Sequence, residues 1–251
     1  MPEQVLKRLA NIWVRSFHSP LRTLVATLGT VGLGTCLLVL VAIAKLSNEV
    51  LEQEAFAFDQ TTLLWIHQFA NPTLDAVMLT ITHLGNPVIV VPVSVGSFAW
   101  LWWQRHRAEA YVFGLNCIGG AILGIGLKLV FGKVRPQLWP QLINETTFSY
   151  PSGHALGSMI LYGFLAYVLA TLYPRFSVVF YSLASLLIST IGLSRLYLGV
   201  HWPTDIMGGY GIGFLWLSIC VTLLKLQKLR SPQVKRPNEE RFRSDDFAEP
   251  N

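Results

Sequence analysis

Six long apolar runs constrain the fold of this chain more than any other feature of its sequence. A helix needs about 20 consecutive apolar residues to cross the hydrocarbon core of a bilayer. Charged residues make up only 13% of the chain, against roughly 25% in soluble domains. The sequence therefore predicts an all-α, polytopic bundle of six transmembrane helices, and it argues against a soluble protein with buried helices. The predicted spans are residues 24–44, 75–103, 110–131, 153–172, 176–194 and 204–226.

The segments outside these runs complete the predicted organisation. Residues 1–23 are expected to be a cytoplasmic N-terminal segment, and residues 24–230 a single membrane domain. Residues 231–251 are polar and contain proline, which is typical of a disordered tail, here cytoplasmic. Residues 45–74 form an extracytoplasmic loop between the first two spans. Its acidic stretch with an apolar end favours a short helix lying at the membrane interface.

The second run is interrupted by the sequence LGNP at residues 84–87, and Pro92 follows within the same run. Proline removes a helical hydrogen bond and clashes with the preceding turn. A kink or break of the second span is therefore predicted near LGNP.

Basic residues set the predicted orientation, because cytoplasmic loops are enriched in Lys and Arg. With the N-terminus in the cytoplasm, six spans return the C-terminus to the same side. All but five of the 19 Lys and Arg residues then lie on the cytoplasmic side. The exceptions are Lys45, Lys128, Lys133, Arg135 and Arg195. Membrane topology thus explains the net charge of +5, and no nucleic-acid partner is needed.

Three polar stretches lie at the outward-facing ends of the predicted spans. They are KLVFGKVRP at 128–136, PSGH at 151–154 and SRLYLGVHWPTD at 194–205. The loops between spans 3 and 4 and between spans 5 and 6 open on the same side, so the three stretches are predicted to meet at one membrane face. Ionisable residues are costly at a membrane boundary and usually mark a functional site.

These stretches supply the groups of an anion site. Lys128 offers a point charge, and Arg135 and Arg195 offer planar forks that match phosphate oxygens. Ser152 and Gly153 open the fourth span, where exposed backbone N–H groups and the helix dipole favour an anion. The pattern predicts a phosphate-binding site.

Two histidines and an aspartate add candidate catalytic groups. Asp205 follows His201 by four residues, so its carboxylate can fix one ring nitrogen of His201 and leave the other free to attack. His154, beside the cations, is the candidate general acid for the leaving oxygen. The hypothesis is a phosphohistidine intermediate that water cleaves. Neither a metal nor a cofactor is expected, since the nearby cations would repel zinc or magnesium.

The same stretches resemble a known family. K-x6-RP at 128–136, PSGH at 151–154 and SR-x5-H-x3-D at 194–205 match, in order and spacing, the signature motifs of the type 2 phosphatidic acid phosphatase superfamily. The six-span layout extends the resemblance to most of the chain.

The resemblance implies a metal-independent membrane phosphatase with His201 as nucleophile, His154 as acid and Asp205 as the residue that orients His201. The implied phosphate ligands are Lys128, Arg135, Ser152, Gly153 and Arg195.

The expected reaction is hydrolysis of the phosphomonoester or pyrophosphate of a membrane lipid at the extracytoplasmic face. The brevity of the chain suggests a bacterial inner or plasma membrane, with phosphatidylglycerophosphate, phosphatidic acid or undecaprenyl pyrophosphate as substrate. The expected partners are that lipid and the bilayer. Two alternatives stay open: a phosphotransferase that uses the same phosphohistidine, and a non-catalytic lipid-phosphate binder or transporter.

Other features favour structural interpretations. Lys133 is interpreted as a charge on the rim of the site. Four acidic residues are interpreted as a solvated face: Glu49, Glu52, Glu54 and Asp59. The spacings Gly120-x3-Gly124 and Gly209-x3-Gly213 predict close packing of helices within the chain.

Overall fold

The computed structural model describes residues 29–52 and 56–230, so the predictions for 1–23 and 231–251 lie outside the described residues. The described ranges contain helices and connecting loops, and no strand. The α-helices are α1 (Gly29–Glu52), α2 (Phe56–His67), α3 (Pro72–His83), α4 (Pro87–Trp103), α5 (Arg107–Phe131), α6 (Gly153–Leu172), α7 (Ser177–Tyr197) and α8 (Pro203–Arg230). A 3-10 turn at Pro174–Phe176 joins α6 to α7.

Six segments of the described chain are long and apolar enough to cross a membrane, with α3 and α4 together forming one of them. The predicted all-α bundle of six spans is therefore confirmed. The short helix predicted between the first two spans is α2. The first span, α1, continues to Glu52, beyond the predicted end at residue 44.

The predicted break at LGNP is also confirmed. α3 ends at His83, and α4 begins at Pro87 after an Asn86 side chain that accepts a hydrogen bond from the Val88 N–H. Asn is a preferred N-cap and Pro a preferred first helical residue, so this sequence starts a new helix. Pro92 lies inside α4, which continues past it to Trp103.

α6 occupies the centre of the bundle. Half of the residues in the most apolar part of α6 are buried, whereas none of those in the most apolar part of α1 are. A Cβ atom at Gly209 would lie 2.8 Å from the Ser152 carbonyl oxygen, and one at Gly213 would lie 3.1 Å from the Leu156 carbonyl oxygen. Glycine is thus required where α8 meets α6. The predicted small-residue packing is confirmed, and it brings the start of α8 against the start of α6.

Two sequence interpretations are wrong. Lys133, expected on the rim of the site, is buried, because it forms ion pairs with Asp59 and Asp205 inside the bundle. Asp59 of α2 is completely buried, although a solvated face was expected there. The reason is a set of polar partners from distant parts of the chain, Lys133 and Thr204, which compensate for the loss of water around its carboxylate.

Candidate active site

All three polar stretches lie at one end of the bundle. The first joins the end of α5 to the following loop, the second begins α6, and the third joins α7 to α8. The Ser152 N–H donates to the Asp205 carbonyl oxygen at 3.0 Å, which ties the second stretch to the third. Arg135 and His201, from the first and third stretches, approach within 3.2 Å. The predicted convergence on one face of the bundle is found in the structure.

Local sequence explains how the chain turns at each of these points. Gly132 takes a left-handed conformation (φ 56°) and ends α5, and Gly199 does the same (φ 67°) after α7. At Gly199 a side chain is also excluded by Trp139, whose Cζ2 would lie 2.6 Å from an added Cβ. The Ser152 hydroxyl accepts from the Ala155 N–H at 3.4 Å and caps α6.

His201 lies between a carboxylate and a guanidinium. Its Nδ1 is 3.2 Å from Asp205 Oδ2, and its Nε2 is 3.2 Å from Arg135 Nη1. A guanidinium only donates hydrogen bonds, and a carboxylate only accepts them. In the neutral ring, therefore, Nδ1 carries the proton and donates it in a hydrogen bond to Asp205. Nε2 is unprotonated, and its lone pair points toward Arg135.

Burial keeps His201 neutral. Its side chain is 1% exposed, and this desolvation lowers the pKa of His201 to about 4, despite the opposing attraction of Asp205. The ring is thus uncharged at neutral pH, with one nitrogen unprotonated.

Asp205 is held by several groups at once. Its Oδ2 accepts a hydrogen bond from the Trp202 N–H at 2.8 Å and another from the Ser149 hydroxyl. Its Oδ1 lies 3.3 Å from Lys133 Nζ. Neither Ser149 nor Lys133 was expected to contact this carboxylate. Lys133 lies within the first motif at a position where any residue is allowed, and no sequence signal marks Ser149.

The two arginines share a carboxylate that the sequence analysis did not single out. Glu145, in the loop between α5 and α6, forms ion pairs with Arg195 Nη2 and with Arg135 Nη2, the latter at 3.6 Å. Burial of Glu145 raises its pKa, but attraction to Arg195 and Arg135 outweighs this, and the pKa lies below its ordinary value. The glutamate is therefore ionised in the physiological pH range.

Arg195 is almost completely buried, at 1% exposure. Its Nη1 donates to the Thr82 hydroxyl at 2.9 Å, while its Nε has no hydrogen-bond partner among the described residues. Burial of an unpaired N–H is costly. Arg195 itself is not among the residues that line the cavity described below, so the structure leaves this donor buried and unpaired among the described residues.

Lys128 and His154 complete the set. The Lys128 ammonium donates to the Thr147 hydroxyl at 3.2 Å and to the Phe148 carbonyl, and its Cε would lie 3.9 Å from a Cβ at Gly153. His154 Nε2 is buried and has no hydrogen-bond partner within the described part of the chain. Both residues line the same space as His201.

That space is a cavity of about 550 Å³. Its polar end is formed by Lys128, Arg135, Gly153, His154 and His201. Its remaining walls are mostly apolar and come from α4, α5 and α6; they include Val90, Val91, Ala121, Ile125, Leu156, Ile160 and Leu161. The arrangement suits a molecule with an anionic end and an apolar body.

Comparison with known proteins agrees with this geometry. The PAP2 superfamily profile matches residues 108–228. Phosphatidylglycerophosphatase B of Bacillus subtilis (strain 168) is 35% identical over 147 residues, which cover 57% of this chain and 72% of that protein. Undecaprenyl-diphosphatase of Sulfolobus acidocaldarius is 29% identical over 151 residues, 58% of this chain and 68% of that protein.

A solved structure shares the architecture. The crystal structure of the transmembrane PAP2 type phosphatidylglycerolphosphate phosphatase from Bacillus subtilis superposes with a TM-score of 0.71 at 27% sequence identity. The match covers 80% of this chain and 98% of that one.

Proposed function

This chain belongs to the PAP2 superfamily as an integral membrane lipid phosphate phosphatase, and we propose that it cleaves its substrate through a phosphohistidine formed on His201. The observation that carries this proposal is the position of the His201 ring. Asp205 holds Nδ1, while Nε2 lies at the polar end of the cavity beside Arg135.

Glu145 supports the assignment of the phosphate site. A carboxylate resembles phosphate in charge and in the spacing of its oxygens, and here it is bound by Arg135 and Arg195. Its oxygens stand in for two oxygens of the substrate phosphate. Binding of the substrate requires that phosphate replace this carboxylate on the two arginines, with the Arg195 Nε–H as an additional donor.

The first chemical step is attack of the His201 Nε2 lone pair on phosphorus. A nitrogen–phosphorus bond forms and the phosphorus–oxygen bond to the lipid breaks, with the electron pair leaving on the lipid oxygen. Protonated His154 donates its proton to that oxygen. The negative charge of the bound phosphate favours the protonated form of His154 in the complex.

The second step regenerates the enzyme. Water attacks the phosphorus of phospho-His201 while neutral His154 accepts a proton from that water. The nitrogen–phosphorus bond breaks, and its electron pair returns to Nε2. Lys128, Arg135, Arg195 and the N–H groups at the start of α6 stabilise charge on the transferring group in both steps.

The shape of the cavity supports a lipid substrate. Val91 of α4 and Ile125 of α5 line it and are also 56% and 64% exposed. The cavity therefore reaches the surface between these two helices, where apolar spans contact the bilayer. We propose phosphatidylglycerophosphate, phosphatidic acid or undecaprenyl pyrophosphate as substrate. The names of two relatives guide the first and third of these, and the motif resemblance guides the second.

The proposed orientation places the site at the extracytoplasmic face and both termini in the cytoplasm. It follows from the distribution of basic residues, which is the usual determinant of topology. Labelling of single cysteines introduced at exposed loop positions, in intact cells and in lysed cells, tests this orientation.

The test of function is phosphate release by the purified protein from a panel of the three lipids in detergent, with a chelator present. His201→Ala should abolish release, whereas the matched histidine variant His106→Ala, at the opposite end of α5, should retain it. Unchanged turnover by His201→Ala would remove the mechanism. Glycerol added as a second acceptor distinguishes hydrolysis, which yields only inorganic phosphate, from phosphotransfer.

A further inference from the structure

A buried group of charges lies directly behind Asp205 and outside the residues that the proposed mechanism uses. Lys133 Nζ is 3.3 Å from Asp205 Oδ1 and 3.1 Å from Asp59 Oδ2. The side chain of Lys133 is 7% exposed, and those of both aspartates are 0% exposed. Two carboxylates thus share one ammonium where water does not screen their mutual repulsion.

Asp59 is anchored to the beginning of α8. Its Oδ1 accepts from the Thr204 N–H at 2.9 Å, and its Oδ2 accepts from the Thr204 hydroxyl at 2.6 Å. The first N–H groups of a helix have no partner inside that helix. Asp59 therefore caps α8 from another helix, α2, and fixes α2 against the turn that carries Asp205.

The two oxygens of Asp205 face different partners. Oδ2 contacts His201 Nδ1 and accepts from Ser149 and from the Trp202 N–H, whereas Oδ1 faces Lys133. The contact between Lys133 and Asp205 is an ion pair without hydrogen-bond geometry, since Oδ1 has no hydrogen-bond partner among the described residues. The ammonium therefore acts as a charge: it favours the ionised carboxylate and attracts Oδ1, which leaves Oδ2 as the acceptor for His201.

We propose that Lys133 and Asp59 are positioning residues of the active site. Lys133 holds the Asp205 carboxylate ionised and correctly rotated, and Asp59 holds Lys133 in place. Together they maintain the tautomer of His201 that carries its proton on Nδ1. The inference rests on the proposed function, in which Nε2 of neutral His201 attacks phosphorus, and it makes α2, a helix outside the three motifs, part of the catalytic machinery.

Lys133→Met in the full-length protein tests this role. With short-chain phosphatidic acid in detergent, kcat should fall about 10- to 100-fold, by analogy with loss of the partner that orients a metal-bound histidine. KM should change less than about threefold, because Arg135 and Arg195 still bind phosphate. The ¹⁵N spectrum of His201 should change from the Nδ1–H tautomer to a mixture. A merely structural lysine would leave that spectrum unchanged.

The control variant is Lys228→Met. It breaks the ion pair between Lys228 Nζ and Glu109 Oε1 (2.7 Å), which lies at the opposite end of α5 from Lys128. Both kcat and the His201 spectrum should match the parent in this variant.

A second variant covers the case in which Lys133→Met does not fold because two unpaired carboxylates are left buried. Asp59→Asn combined with Lys133→Met removes one of these charges while leaving an acceptor for Thr204. A folded double variant, verified by its helical circular dichroism and melting curve, should still show reduced kcat and mixed tautomers. Parental kcat and a parental spectrum in that variant would overturn the positioning role.

The two proposals fail in different ways. Phosphate release by His201→Ala at the parental rate removes the proposed function itself. If His201→Ala is inactive while the folded double variant retains the parental kcat, only the role of Lys133 and Asp59 is removed.

Discussion

His201 Nδ1 lies 3.2 Å from Oδ2 of Asp205, four residues later and in the first turn of α8. Arg135 Nη1 lies 3.2 Å from the other ring nitrogen. The imidazole therefore has an acceptor on one side and a donor on the other, an arrangement that defines both its tautomer and its direction.

His201 should stay neutral well into the acid range. Its pKa is lowered to about 4, mainly by burial, whereas in the unfolded chain it should be near 6.5. A ¹³C or ¹⁵N NMR titration of labelled histidine checks this value. Asp205→Asn should lower the pKa further, since attraction to the carboxylate raises it. A pKa near 6.5 in the folded protein would contradict the prediction.

The same shift affects stability. Between about pH 6.5 and 4 the unfolded chain binds a proton at His201 that the folded chain does not bind. The contribution of His201 to stability is therefore complete above pH 6.5 and decreases as the pH falls toward 4. Melting temperatures of the parent and of His201→Gln across this range should differ in their slope with pH.

Glu145→Gln should strengthen binding of anions at the active site. In the proposed binding mode the carboxylate competes with phosphate for Arg135 and Arg195. Removal of a competitor raises the apparent affinity by the reciprocal of the fraction of time for which the site was free, here about 3- to 10-fold. The inhibition constants of inorganic phosphate and vanadate measure the change. Glu109→Gln, at the distant ion pair with Lys228, is the control. Weaker inhibition by phosphate in Glu145→Gln would contradict competition.

Gly85→Ala should lower activity through His154. An added Cβ would lie 2.8 Å from Cδ2 of the His154 ring and 2.8 Å from Ile191 Cγ2, so the imidazole must move. Displacement of a catalytic group by about 1 Å costs on the order of 100-fold in rate. Gly126→Ala is the control, because nothing lies within 4 Å of its added Cβ. Equal kcat in the two variants would show that His154 tolerates the displacement.

Arg195→Lys should reduce kcat despite preserving the charge. Its guanidinium contacts Thr82 and Glu145 at once, and its Nε–H has no hydrogen-bond partner among the described residues. In the proposed function this N–H donates to the substrate phosphate. Lysine lacks this fork. Loss of one donor to a developing anion costs about 10²–10³-fold in kcat. Arg175→Lys, exposed between α6 and α7, provides the control. A change below threefold in Arg195→Lys would contradict bidentate binding.

Much of this arrangement could be predicted because membrane topology is a strong constraint. Two crossings separate the loop between spans 3 and 4 from the loop between spans 5 and 6, so both loops lie on the same side. This alone predicts that Lys128, His154 and His201 lie at one end of the bundle. The break before Pro87 was predictable because proline and asparagine act locally on the backbone.

The remainder depends on contacts between distant residues, which local pattern does not encode. Asp59 is buried because Lys133 and Thr204, more than 70 and 140 positions away in sequence, compensate its charge. Glu145 likewise pairs with Arg195, 50 positions away in sequence, and with Arg135. A single acidic residue outside any motif gives no local sequence signal that it will be buried or paired with a distant cation.

The cavity between α4 and α5 joins a charged end to a wall that also faces outward. A lipid bound there keeps its acyl or prenyl chain in the hydrocarbon core of the bilayer, while its phosphate is hydrolysed at the polar end of the cavity. The two products then part into separate phases, the alcohol diffusing away in the plane of the membrane and the phosphate escaping into the aqueous compartment. Because the products are diluted in different media, they seldom meet again, and this separation adds to the free energy that hydrolysis itself releases.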